Sequence, residues 1–337
     1  MKLSEFNQEL ADRLTVFLWR QWIQVGVRAS REEDRRDGWI IDPEALWLLT
    51  ASIGRHDARL FDEAMDWISI NSSFVNLPRL KSLLKQHAFS SGPTVAAMAE
   101  TVCQKDSRLK WTFPCLGNAD SPEALFPGLL TEAMVEDPVF KKHGLIRGST
   151  QLRGMSRRFN HAMPECALLR LRALVGLNAR AEIYAYLCTH NSGHPSGIAR
   201  ETGFSQKNIQ DTMVDMSAAH IVVSGQLDGR KKLYWIDKTS RQMLLYTPKS
   251  PPAWITWPPI FRALEILWQE CRKLETKELS SLFLSGRLRE LSEKLRPLLA
   301  QKDAVCCLRS HELSQGARYT DVFFEDVLTW LKKVLRA

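Results

Sequence analysis

The sequence predicts a mainly α-helical chain with one β-hairpin in its C-terminal half. Apolar residues recur at the three- and four-residue intervals of amphipathic helices along most of the 337 residues. The exception is the stretch 221–236, in which two β-prone runs flank Asp228-Gly229, the signal of a hairpin with a two-residue turn. A chain of this length is expected to contain two or three domains.

Composition places the chain among globular proteins with sizeable cores, since 45% of its residues are hydrophobic and 25% are charged. No apolar run is long enough to span a bilayer, and residues 1–13 lack the pattern of a signal peptide. Seven cysteines without a CxxC pair indicate free thiols in a reducing compartment. We therefore expect a cytoplasmic protein with no membrane partner.

The N-terminal residues 1–104 are expected to form a helical domain. Its helices are predicted at residues 5–27, 42–53, 57–70, 76–86 and 93–104. Asp42-Pro43 and Asn76 are typical helix starts, and Arg79, Lys81 and Lys85 are expected on the polar side of the fourth helix. The second to fourth helices are compatible with a degenerate helix-turn-helix or with a plain helical domain.

Residues 105–163 read as an irregular, basic connecting segment, with a strand expected at 110–113. The formal charge of the chain is +8, and nine Lys or Arg against two Glu lie between Lys141 and Glu182. The basic segment 141–159 is either an arm that follows phosphates, through Arg153, Arg157 and Arg158, or a cationic surface loop.

The third predicted domain, residues 164–247, begins with a helix from Pro164 to Val175. A proline-rich linker, with Pro248, Pro251 and Pro252, then leads to a helical C-terminal domain at 248–337. Its helices are predicted at 258–274, 282–299 and 320–335. Their apolar faces are expected either to form a core or to make dimer contacts.

Within the third domain, three short helices precede the hairpin. Ile183, Tyr184 and Leu187 give the first helix one apolar stripe, and Pro195 to Thr202 fit the second helix. Gly203 suits a left-handed turn between the second and third helices. Ser205 is a natural N-cap for the third helix, whose apolar face holds Ile209, Met213 and Met216.

The outward face of this third helix, residues 205–217, carries side chains that bond base edges and phosphates when a helix enters a major groove. The hairpin at 226–233 adds basic side chains suited to the phosphate backbone. The candidate DNA-binding residues of the two elements are Ser205, Gln206, Lys207, Asn208, Gln210 and Asp211 on the helix and Arg230, Lys231 and Lys232 on the hairpin.

Helix, short helix, capped helix and basic hairpin follow one another over residues 178–237. In this order and at these lengths they resemble the winged helix-turn-helix domain of bacterial transcriptional regulators of the MarR and ArsR type. One departure is His220, where such domains usually have glycine before the wing strand, although His tolerates a left-handed conformation better than most residues.

No familiar catalytic or nucleotide-binding motif accompanies this pattern. GxGxxG, GxxxxGK[ST], HExxH and GxSxG are absent, and Gly148-Ser149 has no Asp-x-Asp to complete a nucleotidyltransferase motif. Cys188, His190 and His194 could bind zinc, but no further cysteine or acidic partner is evident nearby, so a buried cysteine beside two histidines in a polar turn is the explanation that we adopt. We therefore predict a protein that is not an enzyme and needs no cofactor or metal.

The resemblance implies a sequence-specific regulator that binds double-stranded DNA as a homodimer, because two-fold DNA sites favour dimeric readers. The alternative is an antitoxin-like or defence-system adaptor that uses the winged helix and its helical flanks to bind a partner protein.

Overall fold

The chain is mainly helical, as the sequence predicts. The computed structural model describes residues 1–28, 38–114, 121–127, 135–227, 231–245, 252–300, 308–309 and 316–335. Within these ranges, strands form only two small two-stranded sheets. No helix in the same ranges combines the length and apolarity that a bilayer crossing requires.

The five predicted N-terminal helices are confirmed. They are α1 (Leu3–Val25), α2 (Pro43–Ser52), α3 (Ala58–Ile70), α4 (Leu77–Gln86) and α5 (Gly92–Lys105). The Asp42 side chain caps α2 by accepting a hydrogen bond from the Ala45 amide at 3.1 Å. The Asn76 side chain caps α4 in the same way, at 3.1 Å from the Arg79 amide.

The middle of the chain contains both expected and unexpected elements. The predicted ones are α7 (Ala167–Val175), α8 (Ala179–Thr189), α9 (Pro195–Thr202) and α10 (Gln206–Ala218). The short helices α6 (Pro138–Lys142) and α11 (Lys238–Leu245) and the parallel pair β1 (Glu123–Ala124) and β2 (Leu145–Ile146) have no counterpart in the prediction. An antiparallel hairpin is formed by β3 (Val223–Leu227) and β4 (Lys231–Trp235).

The predicted strand at residues 110–113 is wrong, because these residues have no strand partner among the described residues. Their aromatic rings pack on helices instead. The Trp111 ring lies 5.9 Å from the Trp47 ring of α2, and the Lys81 ammonium lies 4.9 Å from the Phe113 ring. Contacts with side chains of the helices therefore replace the hydrogen bonds of a sheet.

The three predicted C-terminal helices are confirmed as α12 (Trp257–Glu275), α13 (Ser281–Leu299) and α14 (Tyr319–Val334). They share one hydrophobic cluster with α1 to α5, which we call the helical body. Phe6 of α1 stacks on Phe324 of α14 at 4.3 Å between ring centroids. The apolar faces of the C-terminal helices therefore pack largely within the chain's own core, which is the first of the two expectations. Dimer contacts of these helices stay a prediction.

A second hydrophobic cluster is formed mainly by α7 to α10 and the hairpin, and it also includes Ile40, Leu245 of α11 and Trp254. We call α8, α9, α10, β3 and β4 the three-helix unit. Its predicted inward residues Ile183, Leu187, Ile198, Ile209 and Met213 are all buried. The first turns of α7 also join this cluster, with Leu168 and Leu171 buried. The predicted division at residues 104, 163 and 247 into independent domains stays a prediction, although both ends of the chain share the helical body.

The helical body and the three-helix unit meet at a buried group of charged side chains. This junction cluster consists of Asp42, Glu44, Arg79, Arg172 and Glu182, none more than 9% exposed. Arg172 of α7 donates to both Glu44 oxygens at 2.7 Å and to Glu182 of α8 at 2.7 Å. Arg79 of α4 donates to Glu44 at 2.6 Å and to the Asp42 carboxylate. Each arginine thus joins two carboxylates.

The predicted exposure of Arg79 on the polar side of α4 is wrong, because only 4% of this residue is exposed. Besides its two carboxylate partners, its Nε donates to the carbonyl oxygen of Thr202 in α9 at 2.6 Å. Burial of a guanidinium is tolerated only when its donors are satisfied in this way. Arg79 therefore ties α4 to the three-helix unit.

The junction cluster contains three carboxylates and two guanidinium groups. The pKa values of two of the carboxyls, Asp42 and Glu182, are shifted in opposite directions. Burial raises the pKa of Glu182 above the ordinary 4.5, although Arg172 and Arg79 act in the opposite direction. Burial would likewise raise the pKa of Asp42, but the charge and hydrogen bonds of Arg79 outweigh it, so this pKa lies below the ordinary 3.8. Between Asp42 and Glu182, Glu182 is therefore the carboxyl that takes up a proton more readily.

Replacing Glu182 with glutamine is expected to change how the free energy of unfolding depends on pH. A raised pKa means that the folded state binds the Glu182 proton more tightly than the unfolded chain does. This contribution to stability is present below pH 4.5 and is lost as the pH rises through the folded-state pKa. Urea unfolding from about pH 4 to about pH 8 should show the wild-type stability falling relative to that of E182Q.

Titration of the Asp42 carboxyl does not contribute to the stability change expected between about pH 4 and about pH 8. Its pKa is lowered, so its contribution is lost only as the pH falls below 3.8. A difference between wild type and E182Q that stays constant with pH would contradict the raised pKa of Glu182.

Candidate nucleic-acid interface

The turn between α9 and α10 follows the prediction. Gly203 has a φ of 78° and donates its amide to the Ala199 carbonyl oxygen at 3.0 Å, a left-handed helix end. The Ser205 hydroxyl then caps α10 by accepting a hydrogen bond from the Asn208 amide at 3.3 Å. These two features set the direction in which α10 leaves the turn.

The outward face of α10 exposes most of the predicted side chains. Ile209, Met213 and Met216 are buried against the second cluster, which leaves the opposite side of the helix to solvent. The predicted residues Ser205, Gln206, Lys207, Asn208 and Asp211 are exposed, and Gln210 is half-buried. The Asn208 side-chain oxygen accepts a hydrogen bond from the Thr212 hydroxyl at 3.2 Å, which orients the amide.

The hairpin after α10 is joined to the rest of the three-helix unit through its second strand. Tyr234 of β4 is buried, and its amide and carbonyl groups bond with those of Gly193, at 3.0 Å and 2.8 Å. His220, before β3, adopts a φ of 56°, so the left-handed conformation expected at this position is confirmed. The hairpin is therefore held on the loop between α8 and α9.

The predicted two-residue turn of the hairpin is wrong. Leu227 pairs with Lys231, which leaves three residues between the strands. Asp228, Gly229 and Arg230 lie outside the described residues, and so does the side chain of Lys231. The third predicted basic residue, Lys232, is exposed, with its ammonium 5.2 Å from the Tyr234 ring.

The basic segment 141–159 lies against the helical body. Arg147 is buried among Phe61, Phe126 and Phe140 and donates to Asp62 at 2.8 Å. The backbone of the segment is also held further along, where the amides of Gly154 and Ser156 donate to Asp66 of α3, at 2.5 Å and 2.8 Å. The segment is therefore anchored along its length.

The three predicted phosphate-binding arginines of this segment are exposed but not equivalent. Arg153 is ion-paired with Glu63 of α3. Arg157 and Arg158 are exposed, while the Arg157 backbone bonds with Gly26 at the end of α1. A side chain at Gly26 would come within 2.7 Å of the Arg157 carbonyl oxygen, so the close approach requires glycine. Arg157 and Arg158 are thus the better candidates for a ligand.

The helix α4 connects the basic segment with α10. Phe159 of the segment meets Phe74, just before α4, with 5.0 Å between the rings. Near the middle of α4, the Ser82 hydroxyl donates to the Gly203 carbonyl oxygen at 3.4 Å. The basic segment and the turn before α10 therefore both lie beside α4 or the residues just before it.

The cysteine and histidines considered for zinc have other roles. Cys188 is buried in α8, and burial raises the pKa of its thiol to about 12. The His190 ring stacks on Tyr186 at 3.9 Å, and His194 caps α9. Within the described ranges, no group of three or more Cys, His, Asp or Glu is placed to hold a metal ion.

Sequence reasoning missed the contribution of the helical body to this region. Ser82 and Leu83 lie against the turn at Gly203, although 120 positions of sequence separate the last two. Periodicity predicts which face of α4 is buried, but it does not identify the element that covers this face. The only local signal is the pair of helix caps, Asp42 and Asn76, which position Arg79 next to its partners.

Replacing Gly203 with alanine should destabilise the protein by about 1–3 kcal/mol, the usual cost of holding another residue in a left-handed conformation. The new methyl group would also lie 2.6 Å from the Leu83 side chain. Gly197, inside α9, offers a matched control because a Cβ there meets nothing within 4 Å. G197A should be neutral or stabilising by up to about 1 kcal/mol, since alanine favours helix. Equal urea midpoints for the two variants would contradict this account of the turn.

Comparison of the chain with models of protein families, with curated proteins and with solved structures finds no match. What the surface can bind is therefore inferred from its own side chains, the amides and lysine of α10 and the lysine of β4.

Proposed function

We propose that the chain is a cytoplasmic transcriptional regulator that binds double-stranded DNA in a sequence-specific way, with α10 in the major groove and the hairpin on the adjacent backbone as a wing. The observation that carries the proposal is the division of α10 into two faces. One face packs in the second hydrophobic cluster through Ile209, Met213 and Met216, and the other face exposes side-chain amides and a lysine. A rigidly held helix with hydrogen-bonding side chains is what base reading in a major groove requires.

The residues of α10 have complementary roles in this proposal. Asn208 presents an amide, the group that pairs with adenine through two hydrogen bonds, and Thr212 orients it. Gln206 and Gln210 offer the same chemistry, whereas Lys207 provides a charge for a phosphate or a guanine. Asp211 is the one predicted contact whose charge is unfavourable near phosphates, so cytosine is the base it would select.

The wing supplies binding that does not depend on sequence. Lys232 is exposed on β4, and Arg230 and Lys231 precede it in the chain. Each lysine that neutralises a phosphate releases condensed counterions, which makes binding dependent on salt. Arg157 and Arg158 of the basic segment would add to the same contribution. A homodimer, which would bring a second α10 to a two-fold DNA site, is part of this proposal.

The second candidate function is an adaptor that binds a partner protein, as an antitoxin does. Exposed apolar side chains near the C-terminal end of α10 favour it, since Val214 is 47% exposed, Ile221 44% and Val223 42%. Apolar side chains grouped on a surface are typical of protein contacts. The two functions are compatible, because they would use opposite ends of α10.

Substitutions at Asn208 and Lys232 should separate base reading from phosphate binding. N208A should lose discrimination at one base pair, by about 1–3 kcal/mol, while its affinity for unrelated duplexes stays constant. K232Q should weaken binding to all duplexes and lower the slope of log K against log salt by about 1. Selection from a randomised duplex library, followed by titration of the selected and scrambled duplexes, measures both effects.

Gln104, exposed on α5, provides the control. Q104A should retain the selected sequence and the salt dependence of the wild type. If N208A and K232Q weaken binding to every duplex by the same factor and select the same sequence as the wild type, α10 does not read bases through Asn208.

A further inference from the structure

The helix α4 of the helical body lies directly against the turn that precedes α10. Arg79 donates to the Thr202 carbonyl oxygen at 2.6 Å, and Ser82 donates to that of Gly203 at 3.4 Å. Leu83 packs so closely on Gly203 that a Cβ there would lie 2.6 Å from its side chain. Residues 79–83 of α4 and the turn that leads into α10 are therefore neighbours.

Two exposed lysines lie within four positions of the residues that make this contact. Lys85 is exposed one helical turn after Ser82, and Lys207 is exposed in the first turn of α10, four positions after Gly203. Within the described part of the chain, neither lysine forms an ion pair. Lys81 differs from them, because it is half-buried over the Phe113 ring at 4.9 Å.

The distance between these lysines is limited by the contacts of α4. Residues three apart on a helix have Cβ atoms about 5–6 Å from each other, so Lys85 starts close to the Ser82–Gly203 contact. Lys207 starts within a few residues of the same contact. Their flexible side chains can therefore reach phosphates along one edge of a major groove, which is about 12 Å wide and bordered by a phosphate every 3.4 Å of each strand's rise.

We propose that α4 and α10 form one composite surface for a nucleic-acid backbone, in which Lys85 of the helical body binds a phosphate beside the groove that α10 enters. This inference rests on the proposed function and assigns part of the binding to α4, outside the three-helix unit. The position of Lys85 relative to α10 is constrained by Arg79, which joins α4 to Asp42 and Glu44 of the junction cluster and to Thr202 at the end of α9. The helical body thus contributes to DNA binding and does not only carry the three-helix unit.

Lysine-to-glutamine substitutions in the full-length chain test this inference. Fluorescence anisotropy with a labelled duplex of about 30 base pairs from upstream of the gene would be measured over a salt series, for wild type, K85Q, K207Q, the double variant and K332Q. Lys332 is the matched control, an exposed lysine on α14. Lys85 and Lys332 both lie on helix surfaces with no described partner, so K85Q is expected to fold as K332Q does. Thermal unfolding curves of the two variants verify this.

The expected result is that K85Q and K207Q each weaken binding about three- to tenfold and lower the salt slope by about 1, with a decrease of about 2 in the double variant. K332Q should bind as the wild type does. If K207Q weakens binding while K85Q matches wild type in affinity and slope, the composite surface is overturned and the proposed function stands. If the wild type binds no duplex at low salt, both are overturned.

Discussion

The arrangement of the chain depends on one buried carboxylate, Glu44, which accepts hydrogen bonds from two arginines of different parts of the fold. Arg79 comes from the helical body, and Arg172 leads into the three-helix unit. Two guanidinium groups so fully buried would be costly without carboxylate partners, and removing one partner of a buried ion pair typically costs about 3–5 kcal/mol. The cluster therefore favours one packing of the two parts over others, because a shifted interface would leave a buried charge unpaired.

This constraint connects packing with the proposed function. The same Arg79 that pairs with Glu44 also bonds to the last turn of α9, so α4 and the turn before α10 are positioned together. The orientation of the exposed face of α10 therefore depends on contacts with the helical body as well as on the three-helix unit. Preorganised side chains lose little conformational entropy on binding, which favours specific recognition over loose electrostatic attraction.

Local features were predictable from the sequence, whereas contacts between distant residues were not. Helical periodicity and caps such as Asp42 and Ser205 predict α2 and α10 almost to the residue, because these signals lie within one or two turns. The partners of Arg79 and Arg172 lie up to 128 positions away, and no local pattern specifies them. The strand predicted at 110–113 is wrong for the same reason, because Trp111 packs on the Trp47 ring of α2 and residues 110–113 pair with no strand among the described residues.

The most direct test of the central claim is equilibrium binding of the purified full-length protein to the duplex upstream of its own gene and to a scrambled duplex of equal composition, across a salt series. We expect tighter binding to the upstream duplex, with a preference that persists at moderate salt because base contacts do not depend on counterion release. Weak binding that is equal for both duplexes and abolished by salt would contradict it, and would leave only a non-specific cationic surface.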